Sequence, residues 1–334
     1  MTFTPHKIRV GVLRGGPSPE YDVSLRTGGA ILANLPDEYE PLDIFISKDG
    51  VWHIGGLEKD PHKILETIDV AVNAMHGAYG EDGTVQNLLQ EFNIPYTGSN
   101  SLASAMGMNK VMSKNVFRQA GLKTPHYILV ESDGDEQVNR DKMIDKIDQS
   151  LPYPMIIKPI NSGSSLGISF VDRKNQLKEA LQNSFEHSPK LIIEEYINGK
   201  EATCGVIEDF RGSPFYSLLP VEVARKKGGY FHDYDSKYGP LEEGLESRYT
   251  TPGNFTGEEK EQIQKAAALI HQALGLRHYS RSDFIIHPKR GVLVLEVNTL
   301  PEITHRSSFV KSLEALGSNL KEFLSHLLSK TLGK

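Results

Sequence analysis

The chain has 334 residues, enough to bury a substantial core in two or three domains. Its 37 Lys+Arg against 43 Asp+Glu give a net charge of −6, which excludes the basic footprint of a nucleic-acid binder. The single cysteine, Cys204, rules out an internal disulfide framework and a cysteine-built zinc site. Lys7 to Leu13 is too short for a secretory h-region, and no apolar run reaches membrane-spanning length. A soluble, cytoplasmic protein is expected.

Ile8 to Leu13 reads as a buried strand, ending in Gly15-Gly16 before a helix from about Val23. Strand, glycine turn and helix open a doubly wound α/β domain, and ligands bind at the carboxyl ends of such strands. A GxGxxG fingerprint is absent, and Glu20 in this loop reads by itself as a solvated residue. Val70 to Met75 is a second strand, running into His76-Gly-Ala-Tyr-Gly-Glu-Asp-Gly83. Glu81 and Asp82 suit the start of the helix from Thr84 to Phe92, complementing its dipole. That account leaves His76 and the glycines unexplained, so the turn is a candidate ligand site. The first domain boundary falls near Met108, where Asn109-Lys110 opens a helix to Ala120. Lys110 and Lys114 share one face of it, as solvated lysines ordinarily do.

The middle of the chain is mixed α+β. A strand is expected from Thr124 to Val130, a loop over Asp133 to Glu136 and a polar helix from about Asn139. Met155 to Pro159 is a strand whose Lys158 is held extended by the following proline. Asn161-Ser-Gly-Ser-Ser-Leu-Gly167 then leads to a strand through Val171. This loop reads either as a plain hairpin or as backbone amides and hydroxyls folded over phosphates. Leu191 to Ile197 is a strand broken at Asn198-Gly199; either its backbone reads a purine edge and Glu201 takes ribose hydroxyls, or it is a buried strand with an acidic exit. Further strands are expected over Ala202 to Val206 and Phe215 to Val221. Residues 224–254 are rich in Gly, Tyr and charge without hydrophobic periodicity, and read as an active-site lid. Glu258 to Leu274 is an amphipathic helix behind a Thr256 cap. Two helices, Ser308 to Leu316 and Leu320 to Leu332, end the chain.

Between the Glu258 to Leu274 helix and this pair lies a hairpin. Arg281-Ser-Asp-Phe and Leu295-Glu-Val-Asn298 flank the Arg290-Gly291 turn. Glu296 and Asn298 are two apart and face one way, and Asp283 on the neighbouring strand joins them. Two carboxylates and an amide oxygen suit Mg²⁺ with nucleotide phosphates, or else form a polar sheet face.

In order, the chain carries Glu20 in a glycine loop, HGxxGEDG from His76, Asn109-Lys110, Lys158-Pro159 with Gly163-Ser-Ser-x-Gly167, and Glu194-Glu-x-x-x-Gly-x-Glu201. It continues with Tyr234-x-x-Lys-Tyr238, Arg281-x-Asp283 and Glu296-x-Asn298. Across nearly its whole length it resembles the D-alanine–D-alanine ligases of the ATP-grasp superfamily. The resemblance implies an α/β (α+β) ATP-grasp fold. A Rossmann-like parallel-sheet domain (1–108) would precede a central subdomain with the phosphate-covering loop (109–197) and a C-terminal subdomain with metal site and lid (198–334). It implies that ATP phosphorylates one D-alanine to an acylphosphate, which a second D-alanine attacks to give D-alanyl-D-alanine for peptidoglycan. Lys110, Lys158, Lys237 and the Gly163-Ser164-Ser165 loop would hold ATP phosphates; Glu194, Glu195, Tyr196, Ile197 and Glu201 would hold adenine and ribose. Asp283, Glu296 and Asn298 would ligate two Mg²⁺ ions, with Mn²⁺ as a substitute. Glu20 would bind the donor ammonium and His76 would lie near its carboxylate. Ser164 and Tyr238 would link with Glu20 to tie the lid, and Arg281 would stabilise the acylphosphate. Ser307 and the Ser308 backbone would receive the acceptor carboxylate. A homodimer through the N-terminal domain is implied too.

Three positions depart from the family pattern. Pro301-Glu-Ile-Thr304 stands for Pro-Gly-Met-Thr, and a glycine at the Glu302 position is able to use a positive φ that penalises glutamate. His305-Arg306-Ser307-Ser308 adds charge beside the acceptor pocket, so Glu302 and Arg306 are expected to pair or to reshape that pocket. Asn109 replaces an Asp. The competing expectations are another acceptor, such as D-serine, D-lactate or a larger amino acid, and a silent ATP-binding paralogue.

Overall fold

The computed structural model describes residues 7–132, 138–161, 163, 166–224 and 248–333. Three sheets carry the fold. The first, in order β4-β3-β2-β1-β5, is built from β1 (Ile8–Gly15), β2 (Tyr39–Ile46), β3 (Trp52–Ile54), β4 (Leu57–Glu58) and β5 (Val70–Asn73). β1 runs parallel to both β2 and β5, whereas β3 and β4 add as antiparallel edge strands. Helix α1 (Tyr21–Asn34) buries Val23, Ser24, Thr27 and Ile31. This is the i, i+4, i+8 stripe expected of a helix packed on a sheet. Its Ser24 hydroxyl accepts from Gly15 N at 2.8 Å and donates to Ala74 O at 3.0 Å, pinning the glycine turn between helix and sheet. Short α2 (Pro61–Leu65) and α3 (Thr84–Glu91) complete this part.

Helices α4 (Ser101–Met108) and α5 (Lys110–Gln119) lead into an antiparallel sheet of order β6-β9-β7-β8. Its strands are β6 (Tyr127–Glu131), β7 (Met155–Pro159), β8 (Ser169–Val171) and β9 (Lys190–Glu195). Helices α6 (Val138–Ser150) and α7 (Leu177–Phe185) cover one face, with Ile147, Leu177 and Leu181 packed on Ile157 and Ile193. The expected strand from Thr124 begins only at Tyr127, and α7 falls where the sequence reading placed no element.

The third sheet, β13-β12-β10-β14-β15 with β11 on β10, is antiparallel. β10 (Lys200–Phe210) is longer than expected. The single strand expected over Phe215 to Val221 is two, β11 (Ser213–Ser217) and β12 (Val221–Val223), divided at Pro220, which has no N–H for a ladder. β13 (Tyr249–Thr250), β14 (Tyr279–His287) and β15 (Gly291–Asn298) follow. Most of the expected lid, residues 225–247, lies outside the described residues.

Helix α8 (Gly257–Ala273) packs Ile263, Ala267 and Ile270 against this sheet and starts in a full Thr256–Glu259 capping box. The last helices, α9 (Ser308–Ala315) and α10 (Leu320–Thr331), close the molecule on itself. Phe309, Phe323 and Tyr279 meet edge-on at 5.3–5.9 Å between ring centroids. Phe309, Phe323 and Leu327 share one core with Val10, Val12 and Ile31 of the first sheet. Each such buried side chain contributes about 1.5–3 kcal/mol. The first and third sheets are thereby joined through one shared core, and Glu20 and His76, which follow β1 and β5, line a cavity with Arg281 and Asn298 of the β14–β15 hairpin.

Candidate active site

The hairpin carries a bulge between Asp283 and Phe284, which shifts the register by one residue and sets Asp283 opposite Glu296 and Arg281 opposite Asn298. Asp283 is the hub. The Arg281 guanidinium grips both its oxygens at 3.0 Å, Thr203 of β10 donates to Oδ1 at 2.7 Å, and Asn298 Nδ2 approaches Oδ2 at 3.3 Å. Lys110 Nζ stands 3.7 Å from Glu296 Oε2. Two carboxylates and one amide fall short of an all-protein cage, and no cluster of three or more His, Cys, Asp or Glu exists among the described residues. That donor set fits magnesium, which takes one or two protein carboxylates and completes its shell with phosphate and water.

The lysines come from α5 and β7. Asn109 caps α5, accepting from Val111 N at 3.1 Å and Met112 N at 3.0 Å, so its replacement of Asp preserves the cap. Lys110 is 7% exposed and Lys114 fully buried, not solvated as expected. Lys114 Nζ donates to Leu295 O at 3.0 Å and lies 2.9 Å from Glu194 Oε1, while Lys158 Nζ donates to Glu194 Oε2 at 2.8 Å. Burial alone would raise the Glu194 carboxyl; the charges of Lys114 and Lys158 outweigh it and hold it at about 2. Burial lowers Lys114, whereas at Lys158 the Glu194 and Glu296 charges overcome burial and raise it.

Glu194 and Glu195, both expected at the nucleotide, are also engaged within the protein. The Glu194 carboxylate is the counter-ion of two lysines. Glu195 forks with Arg290 at 2.7 and 2.9 Å and accepts from His126 N at 2.8 Å. The N–H groups of Glu195 and Tyr196 donate to His126 O and Pro154 O, both at 2.9 Å. Neither pair uses the Ile197 N–H.

At the first sheet, Glu20 is buried just before α1. Gly77 has φ +73, and a Cβ there would come within 2.7 Å of Glu20 Oε2; one on Gly163 would come within 2.9 Å of the same oxygen. Glycine at both positions is what admits the carboxylate. His76 is buried with Nε2 2.8 Å from Thr27 Oγ1. Burial, then the nearby Arg281 charge, lowers it to about 4 against the Leu300 backbone bond, so it is neutral at physiological pH. Glu81, which the sequence reading gave to the helix start, lies elsewhere. It accepts from Gly77 N at 2.8 Å and Leu300 N at 3.3 Å, and burial followed by the Glu20 charge pushes it up to about 8. Asp82 alone serves the helix start, accepting from Tyr79 N at 2.8 Å and Thr84 N at 2.9 Å.

At the acceptor end, Ser307 caps α9, accepting from Val310 N at 3.3 Å, and buried Ser308 follows it. Glu302 is not among the residues of positive φ, which removes the expected strain. Its Oε1 accepts from Thr304 Oγ1 at 3.0 Å, whereas Arg306 is exposed and the expected Glu302–Arg306 pair does not form.

One cavity of about 180 Å³ joins these parts, lined by Glu20 and His76, by Lys158 and Tyr196, and by Asp283 and Glu296 from the three sheets. Arg281, Asn298, Glu194, Glu195, Ile197, Glu201 and Ser308 also line it. Lys110 and Gly163 line a small adjoining pocket, and Ser307 lines neither. Ser164, Ser165, Lys237 and Tyr238 lie outside the described residues. Thr203 was missed, although it is two positions from Glu201 on β10 and faces the same way.

Residues 116–329 match the family described as D-ala D-ala ligase C-terminus, and residues 9–66 and 55–99 match D-ala D-ala ligase N-terminus. A D-alanine–D-alanine ligase of Geobacillus kaustophilus is 36% identical over 358 residues, covering 98% of this chain and 95% of that protein. One from Carboxydothermus hydrogenoformans is 36% identical, covering 96% of this chain and 97% of the other. Among solved structures, the VanG D-Ala:D-Ser ligase of Enterococcus faecalis superposes with TM-score 0.82 at 27% identity, covering 98% of this chain and all of that one. The ATP complex of the Bacillus anthracis D-alanine–D-alanine ligase superposes with TM-score 0.73 at 29% identity, covering 97% of each chain. The fold is therefore the expected ATP-grasp, and the chain belongs to the D-alanine–D-alanine ligase family.

Proposed function

We propose that this chain is an ATP-dependent ligase that joins two D-alanine molecules into D-alanyl-D-alanine, releasing ADP and phosphate and supplying peptidoglycan synthesis. The observation that carries this reading is the cavity shared by Lys158 and Glu194, the Asp283–Glu296–Asn298 face and the Glu20–His76 end. In the first step a donor carboxylate oxygen attacks the γ-phosphorus of ATP and the β–γ bridge breaks. In the second, the acceptor nitrogen attacks the acyl carbon, and the C–O bond to phosphate breaks.

Phosphoryl transfer is mostly positioning and charge neutralisation, and the side chains divide that work. Lys110 and Lys158 hold ATP phosphates, a role that the family resemblance also gives to Gly163, Ser164, Ser165 and Lys237. Lys114 and Glu194 keep Lys158 extended and charged. The segment from Glu195 to Ile197 offers backbone to adenine, and Glu201 takes the ribose. Glu20 receives the donor ammonium, neutral His76 lies beside its carboxylate, and Ser164 and Tyr238 link the lid to Glu20. Arg281 stabilises charge on the acylphosphate and the tetrahedral oxygen. The α9 start at Ser307 and Ser308 receives the acceptor carboxylate.

Asp283, Glu296 and Asn298 would hold two Mg²⁺ ions, or Mn²⁺. When bound, these supply positive charge against the triphosphate. We also take the three sheets to mark three units, 1–108, 109–197 and 198–334. The protein is read as cytoplasmic and homodimeric; among the described residues no helix is long and apolar enough to cross a membrane. The test is phosphate release from MgATP with D-alanine, beside L-alanine, D-serine and D-lactate, with products identified by mass. D-Alanyl-D-alanine as the main product is expected. ATP binding without turnover on any acceptor would sink the ligase reading, and sedimentation would decide the dimer.

A further inference from the structure

Resting on the ligase reading, we propose that Glu302 is a catalytic residue of the second step, receiving the acceptor's ammonium and taking its proton as the amine attacks the acylphosphate.

An amino-acid acceptor enters at neutral pH as an ammonium, which has no lone pair to attack with. The cavity must therefore accept a proton close to where the acyl carbon will lie. Glu302 meets that need by position. It lines the cavity together with Arg281, Asn298 and Ser308, on the segment linking the β15 carboxyl end to the α9 N-terminus. One oxygen, Oε1, is fixed by the Thr304 hydroxyl at 3.0 Å. Among the described residues the other has no hydrogen-bond partner. Glu302 is not among the residues of positive φ, so the backbone accommodates a glutamate there without that strain.

Its surroundings keep an anion useful. Arg281 and Asp283 of β14, Tyr249 of β13 with Arg248 just before it, and Glu20, His76 and Glu81 from the loops after β1 and β5 line the same cavity. The Tyr249 phenol feels the Glu302 charge directly, and Lys311 of α9 lies over the Tyr249 ring at 5.6 Å. Glu20 and Glu81 are already committed beside Gly77, and Asp283 is gripped by Arg281. Glu194 is held by Lys114 and Lys158, Glu195 by Arg290 and Glu296 by Lys110, and Glu201 is assigned to the ribose, so Glu302 is the lining carboxylate left for the acceptor. In the step itself the N–H bond breaks toward Oε2 while the N–C bond forms. The tetrahedral adduct still carries an NH2+ group; as the C–O bond to phosphate breaks, this second proton goes to the departing phosphate, and the first passes from Glu302 to water.

The experiment compares wild type with Glu302→Gln, which keeps the Thr304 contact, and with Glu302→Gly. Two nucleophiles are used: D-alanine, and hydroxylamine, which is uncharged at neutral pH and traps the acylphosphate as a hydroxamate. With D-alanine, Glu302→Gln is expected to lose about 100-fold in kcat/KM at neutral pH. The deficit should shrink about tenfold per pH unit as solution supplies the free amine. Hydroxamate formation and the KM for ATP should stay at wild-type levels in both variants. Unchanged dipeptide synthesis in Glu302→Gln overturns the proposal, and so does an equal loss with hydroxylamine, which marks a structural role. A wild type forming neither hydroxamate nor dipeptide overturns the ligase reading beneath it.

Discussion

Replacing Glu194 by glutamine removes the anion that Lys114 and Lys158 share without changing side-chain volume. At 2.9 and 2.8 Å, each contact is worth about 6 kcal/mol gross at an effective dielectric near 20. Most of that only offsets the desolvation of the three charges. The net value comes from the carboxyl itself: held at about 2 instead of 4.5, it stabilises the fold by about 3 kcal/mol. The variant also strands two ammonium groups, one of them fully buried, so the loss should fall within roughly 3–5 kcal/mol. At roughly 2 °C per kcal/mol for a chain of this size, calorimetry should show a drop of about 6–10 °C. The pH dependence gives an independent check. A carboxyl with a depressed folded pKa stabilises fully above its unfolded value and loses that contribution as pH falls toward the folded one. The stability gap between wild type and Glu194→Gln should therefore close as pH falls from about 4.5 to about 2. A gap under about 1 kcal/mol at neutral pH, or one that persists undiminished in acid, would refute this account of the cluster.

Gly77→Ala should damage the donor end directly, since its Cβ would crowd Glu20 Oε2 from 2.7 Å at φ +73. A stability loss above about 1 kcal/mol is expected, with a raised donor KM, and steady-state kinetics with thermal melts would measure both. Thr203→Val removes the 2.7 Å bond that orients Asp283, and should weaken Mn²⁺ binding about 10–100-fold in titrations followed by electron paramagnetic resonance. An unchanged Mn²⁺ affinity would mean that Arg281 and Asn298 orient Asp283 sufficiently. Glu81→Gln tests the raised carboxyl. The folded chain keeps a proton there that the unfolded chain releases, so wild-type stability should fall as pH rises from about 4.5 to about 8. The glutamine variant should show a flatter profile over that window in urea titrations.

Period-two alternation made Glu296 and Asn298 legible as one face, but Asp283 joins them through the bulge between Asp283 and Phe284, without which it would lie opposite Leu295. Helical periodicity carries less information. It put Lys110 and Lys114 on one face of α5 correctly, but which face meets another sheet depends on the tertiary fold, so a buried lysine looked like a solvated one. β2 escaped for a related reason, since Glu40, Pro41 and Asp43 interrupt a strand whose other residues fill the core beside β1.

The two acids of the HGxxGEDG turn mark the sharpest limit. A helix-start argument fits Glu81 and Asp82 equally, yet they do opposite things. Asp82 spans Tyr79 N and Thr84 N within its own turn and stays where local chemistry puts it. Glu81 reaches Leu300 N, 219 residues away, and the cavity shared with Glu20. That bond exists only once the core of Phe309, Phe323 and Val10 has set the first sheet against the third. Local rules therefore recover residues whose partners are near in sequence, and they fail where a side chain's partner is supplied by the closing of one sheet on another. In this chain such places are the Lys114–Glu194–Lys158 cluster and the Glu20–Glu81 end, and both line the site where the chemistry is proposed to occur.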